Sequence, residues 1–299
     1  MNKIYVPPLK IQGKKTQLVP FIKQHLPNEP FTTWIEPFMG SGVVGFNVQP
    51  KKAIFADSNP HIINFYQAMQ RKEITPLVAR QYLQEQGKIL AEKGQVHYNE
   101  IRERFNHQHQ PLDFLFLNRS CFNGMIRFNR NLRFNVPYGH KPERFAPAYI
   151  TKIANQIKQI AFLIDTNEWE FVCQPFDLSI QMAQPNDLIY CDPPYIGRHV
   201  DYYDSWSETE ELLLAQKLQE SKAKFMVSTW HSTSYRQNTY LQTTWQQYNV
   251  VTTSHFYHLG AKETNRNAVT EALITNYVEP PKNTQITPKT TLQQLALPL

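Results

Sequence analysis

Cysteine is scarce in the 299-residue sequence, and long apolar runs are absent. The three cysteines, Cys121, Cys173 and Cys191, form no Cys-x-x-Cys pair and have no histidine at metal-ligand spacing. This usage argues against a disulfide framework, and we expect reduced thiols, a cytoplasmic protein and no metal site. No apolar stretch approaches the roughly 20 residues of a membrane-spanning helix. The first residues also lack the apolar core of a secretory signal.

Acidic residues are sparse in one block of the chain. Residues 71–160 contain 15 Lys and Arg against 7 Asp and Glu, whereas the remaining residues contain 16 against 18. The net charge of +6 is therefore concentrated in one segment. This pattern is typical of a polyanion-binding module inserted into another domain, with a merely solvated basic surface as the alternative.

The periodicity of the sequence predicts its fold class. Short apolar runs typical of buried strands lie at 53–56, 169–173, 187–191, 224–229, 248–253 and 271–276. Helical patterns lie between several of them, at 60–69, 71–110 and 208–221. Strands that alternate with helices indicate an α/β protein with a mostly parallel sheet. In such sheets, ligands bind beyond the carboxyl ends of the strands.

Three predicted strand ends carry residues suited to a nucleotide-like cofactor. A glycine turn at 40–42 allows close approach of the backbone, and a predicted helix at 43–48 offers free N–H groups. Asp57 ends the next strand, where an acid commonly binds ribose hydroxyls, although capping of the following helix is an alternative. Phe176 and Asp177 follow a further strand and suit an adenine ring and its amine, but Phe176 also fits an ordinary core position.

The stretch Asp192-Pro193-Pro194-Tyr195 follows the apolar run at 188–191. Prolines fix φ and lack N–H groups, so carbonyl oxygens and the neighbouring carboxylate project from a stiff loop. Tyr195 adds a flat apolar face beside these acceptors. Such a loop suits a planar ring with an exocyclic amine, as in adenine, whereas a plain proline turn is the simpler alternative.

Five motifs stand in order along residues 5–277. They are Lys10-Ile11-Gln12-Gly13-Lys14-Lys15, Glu36-Pro37-Phe38-Met39-Gly40-Ser41-Gly42, Leu117-Asn118-Arg119-Ser120-Cys121-Phe122-Asn123-Gly124, Phe134-Asn135-Val136-Pro137-Tyr138-Gly139 and Asp192-Pro193-Pro194-Tyr195. In this order they resemble the Dam-type (class alpha) adenine-specific DNA methyltransferases. The resemblance implies a Rossmann-like S-adenosylmethionine-dependent methyltransferase sheet with an inserted, mainly helical target-recognition domain. It divides the chain into a discontinuous catalytic domain (1–66 and 165–278), a DNA-recognition insertion (67–164) and a flexible tail (279–299).

The resemblance also implies the residues of the site. S-adenosylmethionine is expected to contact Gln12, Gly13, Lys14, Lys15, Glu36, Pro37, Phe38, Gly40, Ser41, Gly42, Asp57, Ser58, Phe176, Asp177 and Asp192. In the catalytic loop, Asp192 and Pro193 are expected to accept the two N–H groups of the adenine amine. Tyr195, after Pro194, is expected to stack on a base flipped out of the duplex. DNA contacts are expected from Lys10, Arg119, Asn123, Arg127, Asn129, Arg130, Asn135, Tyr138 and Arg198.

Sequence recognition is assigned to the basic insertion. Arg130 is the first candidate for base readout, at a hairpin tip entering the major groove, and Lys10 is the second; phosphate contact is the alternative for both. Similarity suggests the site GATATC, modified at its first adenine, with GATC as the runner-up. Methylation of RNA or of a protein amide is a second reading, because the acceptor loop suits several planar nitrogens. A non-enzymatic DNA-binding regulator is a third reading, which the intact motifs disfavour.

The end of the chain carries a separate signal. Gln294, Leu295, Leu297 and Leu299 resemble the short peptides that dock in the bacterial sliding clamp, at the end of a flexible tether. A tail folded back on the domain is the alternative. We thus expect a monomeric bacterial or phage-encoded protein whose partners are double-stranded DNA and the clamp, with no membrane association.

Overall fold

A seven-stranded sheet forms the centre of the protein in a computed structural model, which describes residues 4–13, 15–196, 206–256 and 268–278. The strands are β1 (Trp34–Glu36), β2 (Lys52–Asp57), β3 (Glu168–Cys173), β4 (Leu188–Cys191), β5 (Lys224–Ser232), β6 (Asn249–Phe256) and β7 (Ala268–Thr275). The helices are α1 (Val19–Gln24), α2 (Gly45–Val48), α3 (Pro60–Gln70), α4 (Pro76–Lys93), α5 (Gln95–Gln108), α6 (Pro111–Ser120), α7 (Pro147–Thr166), α8 (Phe176–Gln181) and α9 (Glu208–Glu220). The predicted α/β class is therefore confirmed.

The strand order determines where a ligand can bind. The order is β3-β2-β1-β4-β5-β7-β6; β7 runs antiparallel to β5 and β6, and the other adjacent pairs are parallel. Ile35 on β1 lies opposite Ile54 on β2 and Ile189 on β4, so the direction of the strand order reverses around β1. A crevice at the carboxyl ends of β1 and β4 is the usual ligand position in such sheets.

Local sequence explains where several helices begin. α3 begins at Pro60, and Asn59 caps it by accepting a hydrogen bond from the backbone N–H of His61 at 3.0 Å. α4 likewise begins with a proline, after the cap Thr75. α9 begins with a capping box in which Ser207 and Glu210 bond to each other's backbone N–H groups.

The insertion between α3 and β3 shares its core with the sheet. It consists of α4 to α7 and a short hairpin between α6 and α7. One continuous cluster of buried side chains joins Trp34 and Phe55 of the sheet to Phe105 and Phe116 of the insertion. The predicted domain boundaries at 66 and 165 therefore do not separate two cores and stay a prediction. The predicted tail, 279–299, lies outside the described residues.

Across the described ranges, no helix combines the length and the apolar character needed to cross a membrane.

Candidate active site

The carboxyl ends of four adjacent parallel strands bring the predicted site residues to one edge of the sheet. The glycine turn follows β1, Asp57 ends β2, α8 follows β3, and the Asp192–Tyr195 loop follows β4. Each of these segments is predicted to follow a strand directly, and the fold aligns those strand ends.

The glycine turn after β1 is fixed from two sides. Gly40 and Gly42 adopt left-handed φ values of +47° and +71°. The Gly40 N–H donates to Asp57 Oδ2 at 2.9 Å, and the Tyr66 hydroxyl donates to a carbonyl of the turn at 2.7 Å. A Cβ added at Gly42 would lie 2.6 Å from the Phe46 ring. Both the backbone conformation and the packing therefore require glycine at position 42.

Glu36 lies beneath this turn rather than on its open side. Its side chain is 2% exposed, and Oε2 accepts hydrogen bonds from Trp34 Nε1 at 2.8 Å and from the Gly45 N–H at 3.1 Å. Burial, with a smaller contribution from the charges of Asp192 and Asp57, raises the pKa of Glu36 to about 8. The structure thus corrects the expectation that Glu36 contacts a cofactor, because its carboxyl group supports the turn.

The helix predicted at 43–48 is present as α2, one helical turn over Gly45–Val48. The N–H of Gly45 is taken by Glu36, and the N–H of Phe46 donates to the Gly42 carbonyl at 2.9 Å. The N–H groups at the start of α2 are thus already bonded within the protein. The turn itself, rather than the start of α2, is therefore the part of this segment that can approach a ligand. Ser41 in the turn and Pro37 before it are both buried.

Asp57 closes the turn rather than capping the next helix. Its Oδ1 accepts from the Asn59 N–H at 2.9 Å and its Oδ2 from the Gly40 N–H, while Asn59 itself provides the cap of α3. Burial raises the pKa of Asp57 above its ordinary value. Each carboxylate oxygen keeps a second lone pair at the sheet edge, beside the exposed Ser58.

Three half-buried aromatic rings form a cluster next to the turn. Phe38 stacks on Phe176 with ring centroids 5.2 Å apart, and Trp206 contacts both rings at 5.5 Å. Phe176 opens α8, with Asp177 in its first turn. Phe176 also packs against a second cluster of buried side chains, which includes Ile35 and Ile189, and it remains partly exposed. The three rings thus offer apolar faces beside the polar turn.

The Asp192–Tyr195 loop after β4 is organised by a buried lysine. Lys15 is 3% exposed, and its Nζ lies 2.8 Å from Asp192 Oδ1 and 4.6 Å from the centroid of the Tyr195 ring. Burial raises the pKa of Asp192, and the ammonium group of Lys15 opposes this shift. Lys15 therefore fixes the carboxylate and the ring together, with Gln12 and Gly13 exposed in the segment that leads to it.

A second contact fixes the ring from the opposite end. The Tyr195 hydroxyl donates to Glu271 Oε2 on β7 at 2.5 Å, and Trp230 Nε1 donates to the Ile196 carbonyl at 3.0 Å. These bonds join the loop to the antiparallel part of the sheet, so the orientation of the ring does not depend on the prolines alone.

Two acceptors of the loop face no donor in the described part of the chain. Within those ranges, no residue donates a hydrogen bond to Asp192 Oδ2 or to the carbonyl of Pro193. Asp192 is half-buried, Pro193 is buried and Pro194 is exposed, so the loop reaches the surface on either side of Pro193. Two oriented acceptors beside an aromatic ring match the two N–H groups of a planar amine.

The insertion presents a hairpin at residues 127–135. Phe128 and Phe134 pair as an antiparallel bridge, and the Asn129 N–H donates to the Arg133 carbonyl at 2.9 Å. Asn129 Oδ1 accepts from the Arg133 N–H at 3.0 Å, which ties the turn to its own stem. Arg130 is exposed at the tip.

The other predicted DNA contacts differ in accessibility. Arg127 Nε donates to Asn135 Oδ1 at 3.0 Å, and both side chains are half-buried on the hairpin stem. Asn123 is exposed, with a left-handed φ of +53°. Lys10 is half-buried, and burial together with the charges of Arg119 and Arg144 lowers its pKa to about 8. These predicted contacts therefore range from half-buried to exposed.

Two of the predicted DNA contacts are corrected because they are buried. Arg119 is 8% exposed; its Nη2 donates to Gln156 Oε1 at 2.8 Å and to the Pro8 carbonyl, so it ties three segments together inside the protein. Tyr138 is 4% exposed and stacks on Tyr98 with ring centroids 5.2 Å apart. Both residues support the insertion from within.

Six predicted site residues fall outside the described part of the chain: Lys14, Arg198, Gln294, Leu295, Leu297 and Leu299.

Comparison with known proteins gives one family. Residues 12–259 match the D12 class N6 adenine-specific DNA methyltransferases. The chain belongs to this family. It is therefore an enzyme that methylates adenine in DNA at N6, with a glycine turn and an Asp-Pro-Pro-Tyr loop at the position of its predicted site.

Individual members are similar over most of the chain. The retron Ec67 DNA adenine methylase of Escherichia coli is 32% identical over 71% of this chain and 71% of that protein. The type II methyltransferase M1.LlaDCHI of Lactococcus lactis subsp. cremoris is 27% identical over 92% of this chain and 97% of that protein. The type II methyltransferase M.FokI of Planomicrobium okeanokoites is 28% identical over 92% of this chain, which spans 43% of it.

In this D12-class enzyme, sequence reasoning missed the partners that orient the site. The sequence offers two signals for them: Glu271 is the single acid inside an apolar strand, and Tyr66 carries a hydroxyl group on the buried face of α3. Trp206 offered no signal beyond its aromatic side chain. The sequence gives no signal that the ammonium group of Lys15 pairs with Asp192, and its predicted contact with the cofactor stays a prediction.

Proposed function

We propose that this D12-class enzyme transfers a methyl group from S-adenosylmethionine to N6 of an adenine flipped out of double-stranded DNA. The observation that carries the proposal is the loop in which Asp192 and Pro193 offer acceptors beside the Tyr195 ring, at the same sheet edge as the glycine turn. The sulfonium methyl group of S-adenosylmethionine is already electrophilic, so the protein mainly has to align and orient the amine.

The residues at the turn fit this methyl donor. Half-buried rings at Phe38 and Phe176 suit an adenine face, and the lone pairs of Asp57 suit ribose hydroxyls. The left-handed turn at Gly40 has only Ile11 side-chain carbons near a built Cβ, at 3.9 Å, which leaves its open side accessible. Gly40 would therefore be in contact with the donor, while Glu36 and Tyr66 hold the turn in place.

The catalytic loop orients the amine through hydrogen bonds. Adenine N6 is a weak nucleophile because its lone pair is delocalised into the ring. Asp192 Oδ2 and the Pro193 carbonyl would accept its two N–H groups and draw the nitrogen towards tetrahedral geometry. Lys15 keeps Asp192 Oδ1 occupied, so the carboxylate presents its other oxygen. Stacking on Tyr195 would offset part of the few kcal/mol that base extrusion costs.

Substitution of Asp192 tests this assignment. We expect Asp192→Asn to reduce kcat by at least about a hundredfold, since one well-placed electrostatic contact contributes that much in other enzymes. S-adenosylmethionine affinity, measured by calorimetry, should change far less. Asp165→Asn, which removes an exposed carboxylate from α7, is the matched control. Near-wild-type transfer by Asp192→Ala with the donor still bound would refute the role of this carboxylate.

The recognition sequence is proposed from resemblance. The chain resembles the EcoRV modification methyltransferase, which suggests GATATC methylated at its first adenine, and GATC is the alternative. The exposed position of Arg130 at the hairpin tip supports base readout by this residue. Methyl transfer should be compared on duplexes that contain GATATC, GATC and single mismatches. For Arg130→Ala, relaxed preference indicates base readout, whereas uniform weakening indicates phosphate contact.

Binding of the sliding clamp is proposed for the tail. Its support is the sequence Gln294-Leu295-Ala296-Leu297-Pro298-Leu299 after a polar, proline-bearing linker. The full chain should bind purified clamp, and a variant that lacks residues 293–299 should lose this affinity while keeping its methyl transfer to short duplexes. Unchanged clamp affinity of the shortened variant would remove the proposal.

A further inference from the structure

Leu132 combines two properties that are unfavourable in a folded protein. Its side chain is 75% exposed, and its backbone adopts the left-handed conformation at φ +55°. Among the non-glycine residues with positive φ in the described ranges, all others are polar, and Leu132 is the one apolar member. A branched apolar side chain gains nothing from this conformation, which glycine or asparagine adopts more readily.

The turn around Leu132 is ordered by specific hydrogen bonds. The Leu132 N–H donates to the Asn129 carbonyl at 2.9 Å, and Asn129 Oδ1 accepts from the Asn131 N–H at 2.9 Å. Below the tip, the rings of Phe128 and Phe134 meet edge to face with centroids 5.7 Å apart. The hairpin therefore holds Leu132 at its tip in a defined position. Strain of this kind at a surface tip points to a functional contact.

The charges around Leu132 identify the kind of partner. Arg130 is exposed two residues before it, Arg127 lies on the stem, and Arg133 is paired with Glu103. An excess of arginine beside an exposed apolar tip fits DNA. A two-stranded ribbon fits the major groove, and the apolar group that base edges present there is the C5-methyl group of thymine.

We propose that Leu132 packs against the C5-methyl group of a thymine within the recognition site, and so contributes to sequence specificity. The proposal deepens the proposed function and rests on it, because it assumes that the 127–135 hairpin enters the major groove of the substrate. The proposed contact would explain why an apolar residue occupies this strained position. The left-handed backbone would turn the isobutyl group outward at the tip of the ribbon, where the ribbon would be deepest in the groove.

Deoxyuridine lacks only this methyl group and so provides the test. The probe is a GATATC duplex with flanks of G·C pairs, so that every thymine belongs to the site, and each thymine is replaced in turn by deoxyuridine. The affinity of the wild type should fall roughly fourfold at one position, which is the value of one buried methyl group. Affinity is measured by fluorescence anisotropy, and methyl transfer is followed in parallel on the same duplexes.

Leu132→Asn completes a double-mutant cycle. Asparagine tolerates the left-handed conformation, so the variant should melt at or above the temperature of the wild type and lose only the apolar contact. It should bind the thymine duplex about fourfold more weakly and show no further loss with deoxyuridine. Leu77→Asn, at an exposed leucine of α4, should retain the full response to deoxyuridine.

The outcomes separate this inference from the proposed function. The thymine contact is overturned if no replacement by deoxyuridine changes the affinity of the wild type. It is also overturned if Leu132→Asn keeps the full deoxyuridine effect, a result that would fit a wedge between base pairs. Methyl transfer by the wild type to the thymine duplex tests the function itself. If transfer is absent on this duplex and on a matching GATC duplex, the proposed function fails and the thymine contact fails with it; if transfer occurs and the deoxyuridine response is missing, only the thymine contact fails.

Discussion

Glu36→Gln tests whether a neutral carboxyl group supports the glycine turn. Glu36 is 2% exposed, and Oε2 accepts the N–H groups of Trp34 and Gly45. Because burial raises its pKa to about 8, Glu36 is largely protonated at neutral pH in the folded chain. Glutamine reproduces this form, since its carbonyl oxygen accepts both donors and its amide replaces the acidic hydroxyl.

The raised pKa of Glu36 makes stability depend on pH in a defined direction. Between the ordinary pKa of 4.5 and the folded value of about 8, the folded state binds more protons than the unfolded state. The stabilisation is therefore complete below pH 4.5 and is lost as the pH rises through 8. With about 1.4 kcal/mol per pKa unit, the loss is on the order of 3 to 5 kcal/mol. Glu36→Gln lacks this loss.

Urea unfolding at pH values from 5 to 9 measures the effect. Over this pH range, the unfolding free energy of the wild type should fall by at least about 3 kcal/mol relative to that of Glu36→Gln. Glu92→Gln, which removes an exposed carboxylate from α4, should follow the wild type. Parallel curves for the wild type and Glu36→Gln would refute the reasoning, because Glu36 would then be ionised in the fold.

Three further predictions concern the turn, Lys10 and the Asp192–Tyr195 loop. Gly42→Ala would place a Cβ 2.6 Å from Phe46 and should weaken S-adenosylmethionine binding in calorimetry. Gly94→Ala, at φ +53° in open space, should leave this binding unchanged, and equal affinities for both variants would contradict the prediction. DNA affinity should fall as the pH rises through about 8, where Lys10 loses its charge, and Lys10→Met should remove this step; a retained step would contradict it. Tyr195→Phe loses its bond to β7 and should lower kcat roughly tenfold with the donor affinity kept, so an unchanged kcat would show that the hydroxyl is dispensable.

The elements at the sheet edge could be predicted because their signals are local. The run at 188–191 is apolar on both faces, as a central parallel strand requires, and the two prolines mark where it must end. The glycines at 40 and 42 signal left-handed backbone in the same way. Such features depend on residues within one turn or strand, and the sequence alone contains them.

The roles of single charged residues could not be predicted, because they depend on distant partners. Arg119 was expected on the DNA surface since arginines are usually exposed, but its side chain bonds to residues 37 and 111 positions away. The motif predicts Glu36 as a cofactor contact, yet its donors and its burial place it beneath the turn. Lys15 meets Asp192 only after the sheet has formed. Tertiary packing, which no local pattern encodes, decides all three.

Mass spectrometry of nucleosides from a methylated duplex tests the central claim most directly. The wild type should convert adenine of a GATATC or GATC duplex to N6-methyladenine when S-adenosylmethionine is present, and Asp192→Asn should form at least about a hundredfold less in the same time. The Asp165→Asn control should match the wild type. Absence of N6-methyladenine from the wild-type reaction on every duplex, or equal yields for wild type and Asp192→Asn, would contradict the account.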